Sequence, residues 1–388
     1  MTVTTLSDIE ACPRRWALTW ADYPDLWNQR GYPPRLEMAA IGGSVLHHVL
    51  ETLTRAFVRA GCSDVHDQSA STVLRDLGGY TRLVNASIDQ VLKRYTGNVR
   101  ASKYLEMATA SLRARVPELR AQAQGLLGRV KLSPHPKSVP YQAAHGTQRS
   151  PLRPGVYSEL RFDAPTIKWK GTGDLLILSD EDCEIVDFKT GAHEEGHSFQ
   201  IRAYSVLWYR DYEINPTARR ATKLTLVYND ADVSVAPLSE SELIALERDL
   251  VERRQAAIEA ARCEPPRPLP SRENCGFCGV RHLCDAYWRP DTLIKVSEGA
   301  QQSAGFTDVQ ISIRNSHGPL SWDGVVEGSG TLKQGSRVVL RTTKGLSEFQ
   351  SGDSIRLLNA HSSKDVDDPS QPTVVTMGIW SEAFIVSS

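Results

Sequence analysis

Between Ser44 and Arg59 the apolar residues Leu46, Leu50, Leu53 and Phe57 recur at 4-3-4 spacing, a single stripe that predicts a buried helix. A helix is also predicted over Ser7–Trp20, with Ser7 as N-cap and Glu10 as its capping-box partner. Residues 65–130 have mostly helical periodicity. The period then changes. Strand-like runs at Val156–Phe162, Thr172–Leu178 and Glu184–Lys189 precede a helix at Ser198–Tyr209, a strand at Lys223–Tyr228 and a helix at Ser239–Arg262. This order predicts an α/β core, a mixed sheet flanked by helices. Past about Asp291 the runs are short and broken by Gly, Ser, Asn and Asp. Those at Val309–Arg314, Gly324–Glu327, Arg337–Arg341, Ser354–Asn359 and Val374–Met377 fit a small β-barrel.

Breakers mark the joints. Ser133–Gly155 carries five prolines without apolar periodicity and reads as a long loop, and Glu264–Arg272 has four prolines in nine residues. The 388 residues hold 45 Lys+Arg against 46 Asp+Glu, a net charge of −1 with 40% hydrophobic residues, which excludes a disordered or fibrous chain. No run approaches the length of a membrane span, and the start lacks a charged segment followed by an apolar one. Seven cysteines, an odd number, point away from a disulfide framework and toward the cytoplasm. The near-zero charge conceals an asymmetry. Residues 93–153 carry twelve basic side chains against Glu106 and Glu118, while the last 98 residues hold 8 basic and 11 acidic ones.

Asp174 opens the run Asp-Leu-Leu-Ile-Leu, and Ile185-Val186-Asp187-Phe188-Lys189 follows after a turn. With a period of two, Asp187 and Lys189 project from one face and Phe188 from the other, and Asp174 can converge from the neighbouring strand. Two carboxylates beside a lysine suit a hard divalent ion that polarises a phosphoryl oxygen, with the lysine steadying the attacking water. A plain ion pair at a strand edge has the same spacing.

Gly171-Thr172-Gly173-Asp174 followed by Ile185-Val186-Asp187-Phe188-Lys189-Thr190-Gly191 resembles the core motif of the PD-(D/E)XK nuclease superfamily, in particular its RecB-like branch. Three further features follow that branch's order: the helical Gly43-Ser44-Val45-Leu46-His47-His48-Val49-Leu50-Glu51, the acidic Glu159, and Gln200 with Tyr204 at i,i+4. The resemblance covers roughly residues 1–290. It implies that His47, Asp174, Asp187 and the Phe188 carbonyl hold Mg²⁺ or Mn²⁺, and that Glu159 precedes the metal-binding pair. It further implies that Lys189 assists the water, that Gln200 and Tyr204 orient lysine and strand, and that His48 is a bystander.

Cys275-x₂-Cys278-x₅-Cys284 lacks a fourth ligand. Spacing alone makes structural Zn²⁺ the default and Cys263 the nearest partner. The resemblance implies another answer. RecB-like nucleases such as AddB-type subunits and CRISPR-associated exonucleases place one cysteine before the core and three after it around a [4Fe–4S] cluster, which assigns Cys12, Cys275, Cys278 and Cys284. Cys62, Cys183 and Cys263 are then ordinary thiols.

The resemblance also gives the basic segment a use. Arg100, Lys103, Arg113, Arg115 and Arg120 are expected to track DNA phosphates, and Trp169, Tyr141 and Tyr157 are candidates for stacking bases. Trp322–Val326 and Gly352–Leu358 resemble OB-fold strands, so the tail suits either a single strand or a protein partner such as a helicase. No Gly-x₄-Gly-Lys-Ser/Thr is present, so the chain has no ATP motor of this type. The expected organisation is a nuclease domain at 1–290 with a helical insertion at about 62–132 and a barrel at 296–388. The expected function is metal-dependent hydrolysis of single-stranded DNA, as an exonuclease in repair, CRISPR adaptation or phage defence. The alternative is a catalytically silent DNA-binding or assembly subunit.

Overall fold

The structure, a computed structural model, describes residues 1–132, 149–297, 306–342, 349–365, 368 and 370–386. Most of the expected loop at Ser133–Gly155, including Tyr141, lies outside them. The chain divides into two compact units. The first comprises Met1–Ser7, Pro24–Gln29 and Pro33–Ala256, and the second Asp8–Tyr23, Arg30–Tyr32 and Ala257–Ser388.

Two helices, α1 (Val3–Ala11) and α2 (Pro13–Trp20), replace the single helix expected from Ser7 to Trp20. Pro13 disfavours helical geometry at Cys12, which is extended at φ −167° and ψ 105°. Cys12 caps α2 in its turn, while Ser7 falls inside α1 rather than at its start.

The stripe around Leu50 lies on α3 (Met38–Ala60), which ends at Gly61 in the left-handed region, φ 73°. Helices α4 (Ala70–Asp76), α5 (Gly79–Leu92), α6 (Leu105–Ala114) and α7 (Val116–Gly128) follow. Their Ala70, Ile88, Leu112 and Leu126 share a core with Leu46, Leu50 and Phe57.

The sheet runs β1 (Gly155–Ala164), β2 (Trp169–Leu178), β3 (Cys183–Lys189), β4 (Lys223–Tyr228) and β5 (Asp232–Val235), in that spatial order. All neighbours are antiparallel except β3 and β4, which α8 (Glu195–Arg210) joins as a parallel crossover. Leu175, Ile177, Val186 and Phe188 pack into the core of α3. Lys189, on the alternate face, reaches Gln200 of α8. The four-residue β5 went unpredicted because so short a run carries little periodicity. Trp169, a candidate for stacking bases, is completely buried and unavailable to a strand.

After α9 (Glu240–Arg262), α10 (Arg272–Gly276) and α11 (Pro290–Ser297) come the barrel strands. They are β6 (Phe306–Gly318), β7 (Ser321–Ser329), β8 (Arg337–Thr342), β9 (Ser354–Ser363), β10 (Thr373–Met377) and β11 (Glu382–Ile385). The order β10-β8-β7-β6-β9 closes through β10 on β9, with β8 and β10 parallel. This is a closed five-strand barrel of OB-like connectivity, to which the unpredicted β11 adds along β9. Ile311, Leu340, Leu357 and Val375 fill its interior. Among the described residues, no helix is long and apolar enough to cross a membrane.

A buried ion pair anchors the second unit. Arg281 Nε lies 2.5 Å from Asp308 Oδ2, and Asp308 also accepts from the Tyr287 hydroxyl at 2.7 Å and the Asn359 amide at 2.8 Å. Burial opposes the charge on Asp308, but the guanidinium and these donors hold its carboxyl below the usual range. Asp308→Ala would leave a buried, uncompensated guanidinium and should cost about 3–5 kcal/mol in denaturant unfolding. Asp308→Leu combined with Arg281→Met should cost distinctly less.

Candidate active site

The β2–β3 ladder pairs Leu178 with Cys183 through Leu175 with Val186, and there it forks. Past the fork a side chain takes over from the backbone: the Phe188 amide donates to Asp174 Oδ2 at 2.7 Å. Asp174 and Asp187 therefore face each other where the strands part. Asp187 is buried, and its Oδ2 meets Lys189 Nζ as an ion pair at 2.5 Å. The same ammonium donates to Gln200 Oε1 at 2.8 Å, and Gln200 Nε2 donates to the Tyr204 hydroxyl at 2.7 Å. The i,i+4 spacing on α8 makes this relay possible.

From α3, His47 Nδ1 comes within 3.6 Å of Asp174 Oδ1. Glu159 approaches from β1 with φ at +50°, a left-handed conformation that costs roughly 1–3 kcal/mol in a non-glycine residue. The glycines of the motif have steric reasons. A Cβ at Gly171 would sit 2.9 Å from Leu207 Cδ1 and 3.0 Å from Tyr204 Cε1, and one at Gly173 would sit 2.8 Å from Phe162. His48 instead bonds Ser87 Oγ at 2.9 Å.

In the second unit, Cys12, Cys275, Cys278 and Cys284 line one small cavity of about 20 Å³ together with Arg15 and Arg281. The break at Pro13 brings Cys12 there, and the amides of Arg15 and Leu269 both point at its Sγ from 3.4 Å. Burial raises the thiols of Cys278 and Cys284, and it pushes Cys275 up to about 11. Cys263, the nearest candidate by spacing, is exposed and does not line the cavity. Cys62 pairs with Ser69, and burial pushes Cys183 up to about 12.

A family model of the PD-(D/E)XK nuclease superfamily matches residues 1–285. The chain belongs to this superfamily. Membership implies a hydrolase that acts on nucleic acid with a divalent metal. Among curated proteins none matches. Two solved structures are similar in part. One is described as the crystal structure of SSO0001 and is 17% identical, covering 50% of this chain and 80% of that one at a TM-score of 0.23. The other, a murine DNA-binding protein bound to double-stranded DNA, is 11% identical, covering 61% and 96% at a TM-score of 0.16. Likenesses this distant carry no argument about the site.

The site's electrostatics call for a cation. Burial first, then Asp174 and Glu51, push Glu159 up to about 7, and burial and Asp174 likewise raise Asp187. Burial works against a charged His47, but the hydrogen bond and charge of Asp174 leave it raised overall. Among the described residues, His47, Glu159 and Asp174 are the one set of three His, Cys or acidic residues whose donor atoms all lie within 4.8 Å of one another. Oxygen donors with one imidazole, at this separation, can hold a divalent cation.

The basic segment is less available than its sequence suggests. Arg100 is buried and donates to the Pro33 carbonyl, which corrects its expected place on a DNA-facing surface. Arg113 pairs with Asp89 and Arg115 with Glu118, whereas Lys103 and Arg120 are exposed. Tyr157 donates its hydroxyl to the Arg153 carbonyl. Three residues that the motif did not name form a group here: Tyr228 lies beside Lys189 in the ladder, and His193 and His197 pack against Tyr228. The signal available in the sequence was the i,i+3 spacing of His197 from Gln200, whereas the register of Tyr228 with Lys189 exists only in the folded sheet.

The sign of the pH dependence follows from Glu159. Its raised pKa stabilises the metal-free fold fully below the ordinary value of 4.5, and that contribution is lost as pH rises through about 7. Metal binding needs the same carboxylates ionised. Scanning calorimetry should therefore find a larger rise in melting temperature on adding Mn²⁺ at about pH 8 than at about pH 5, with Glu159→Gln flattening the metal-free dependence.

Proposed function

We propose that this chain is an Mg²⁺- or Mn²⁺-dependent deoxyribonuclease of the RecB-like branch that acts as an exonuclease on single-stranded DNA. The observation that carries the reading is the unbroken set of contacts from Asp187 through Lys189 and Gln200 to Tyr204, beside His47, Glu159 and Asp174. His47, Asp174 and Asp187 hold the metal, with Glu159 and the Phe188 carbonyl as further donors. A divalent ion there polarises a phosphoryl oxygen and acidifies bound water. Lys189 steadies the attacking water and the charge that develops on the phosphate. Gln200 fixes the lysine's direction, and Tyr204, its hydroxyl pKa raised by burial, fixes the amide.

Lys103 and Arg120 supply phosphate contacts, with Arg113 and Arg115 able to exchange their carboxylates for phosphates. The barrel suits a protein partner better than a strand: β7 points Asp323, Val325 and Glu327 outward and buries Trp322, so it presents carboxylates where OB barrels present rings.

Lys189→Ala should reduce cleavage by two orders of magnitude or more, of the size typical for loss of a group acting on the transition state, while DNA binding persists. End-labelled linear and circular single strands under Mg²⁺ or Mn²⁺ measure this together with the need for a free end. A wild-type rate in the variant would overturn the assignment, and cutting of circles would overturn the exonuclease mode.

We also assign a [4Fe–4S] cluster to Cys12, Cys275, Cys278 and Cys284. A tetrahedral zinc with bonds of about 2.3 Å holds its sulfurs about 3.8 Å apart. All four thiols line one cavity, one from before the nuclease core and three from after it, which is the arrangement that the resemblance implies for a polynuclear centre. Anaerobically purified protein should be brown, with iron and acid-labile sulfide, and Cys12→Ser should lose colour and melt lower. A colourless protein holding zinc would replace the cluster with a zinc staple.

A further inference from the structure

Tyr228 occupies the position on β4 directly beside Lys189 in the parallel ladder, about one strand spacing (~4.8 Å) away. Its ring is buried, and the charge of Asp187 acts on its hydroxyl. The His197 Nδ1 lies 2.8 Å from that hydroxyl, and His197 precedes Gln200 by one turn of α8. Over the Tyr228 ring lies His193, with centroids 3.7 Å apart and planes inclined by 18°. His193 Nε2 is in turn 3.2 Å from Asp230 Oδ1. The imidazole is thus held flat by a ring beneath it and a carboxylate at its edge, yet its side chain keeps 48% of its surface in solvent.

A buried tyrosine capped by a core histidine would be an ordinary packing pair. Here the cap is exposed, its orientation is fixed, and the stack stands at the edge of the reaction centre. One face of the imidazole is occupied by Tyr228, so its exposed surface includes the opposite face. A planar ring held in place with a face open to solvent is pre-organised for a second planar ring, because the ordering cost has already been met within the fold. The planar group nearest any phosphate brought to Asp174 and Asp187 is the base of an adjoining nucleotide.

We propose that the open face of His193, stacked on Tyr228, seats an unpaired nucleobase adjoining the phosphate that is cut. His193 and Tyr228 are thus positioning residues that act on the strand rather than on the reacting atoms. A base inside a duplex has both faces covered by its neighbours, so this seat selects unpaired strands. The inference rests on the nuclease reading and adds to it the feature of the substrate that is recognised.

The test uses the full chain, Mn²⁺ and single-stranded oligonucleotides that differ only in one abasic residue placed in turn on either side of the cleaved bond. For the wild type, an abasic residue at one of the two positions should raise KM roughly five- to one-hundredfold, the range of base–aromatic stacking, with kcat little changed. His193→Ala should raise KM on the intact strand by a similar factor and be indifferent to the abasic residue. His193→Phe should restore the discrimination. Equal KM for intact and abasic strands in the wild type would overturn the seat while leaving the nuclease reading standing. So would undiminished discrimination by His193→Ala, or an equal loss on both strands. Failure of the wild type to cleave any strand would overturn both.

Discussion

Like charges brought together under cover are the constraint on which the first unit depends. Glu159, Asp174 and Asp187 converge with His47, and burial and mutual repulsion raise the carboxyls of Glu159 and Asp187. A fold can hold such a cluster only if rigid elements supply its members from several directions and positive charge is at hand. The fork between β2 and β3 opens the space, α3 brings the imidazole, and α8 anchors Lys189 through Gln200. Left-handed geometry at Glu159 is a local strain that the surrounding ladder sustains. The arrangement is therefore less stable as a bare fold than an apolar one would be, and a divalent cation relieves it.

The second unit solves a related problem with different chemistry. Arg281 and Asp308 are both buried and neutralise each other, with Tyr287 and Asn359 completing the hydrogen bonds of the carboxylate. Arg281 also lines the cavity of the four thiols. The guanidinium is fixed by the acid on one side, and on the other it donates to the Cys278 carbonyl at 3.1 Å. The thiol centre and the barrel core are thus coupled through one side chain.

Much of this was legible in the chain. The strand-like runs around Asp174 and Asp187, the α3 stripe and the helix carrying Gln200 and Tyr204 all formed, with ends shifted by up to six residues at the start of α3, because local periodicity dominates long, amphipathic segments. The alternation of Asp187, Phe188 and Lys189 assigned their faces correctly, since a strand leaves no other choice. Spacing served less well for the thiols. It favoured Cys263 by proximity along the chain, whereas Cys12 reaches the cavity from 263 residues before Cys275. Only the family's order of cysteines pointed to Cys12, because distance in sequence is a poor measure of distance in a fold.

By itself, then, the amino-acid sequence determined which segments become helix or strand, which residue types carry the chemistry, and the order in which they occur. Periodicity and composition are local properties, and they survive whatever the chain later packs against. The tertiary structure alone decided which side chains face the same point. It buried Trp169 and Arg100, both candidates for contact with DNA, and it stacked His193 on Tyr228 beside Lys189. Those outcomes depend on contacts between residues far apart along the chain, and a contact of that kind leaves no periodic trace in either partner's neighbourhood.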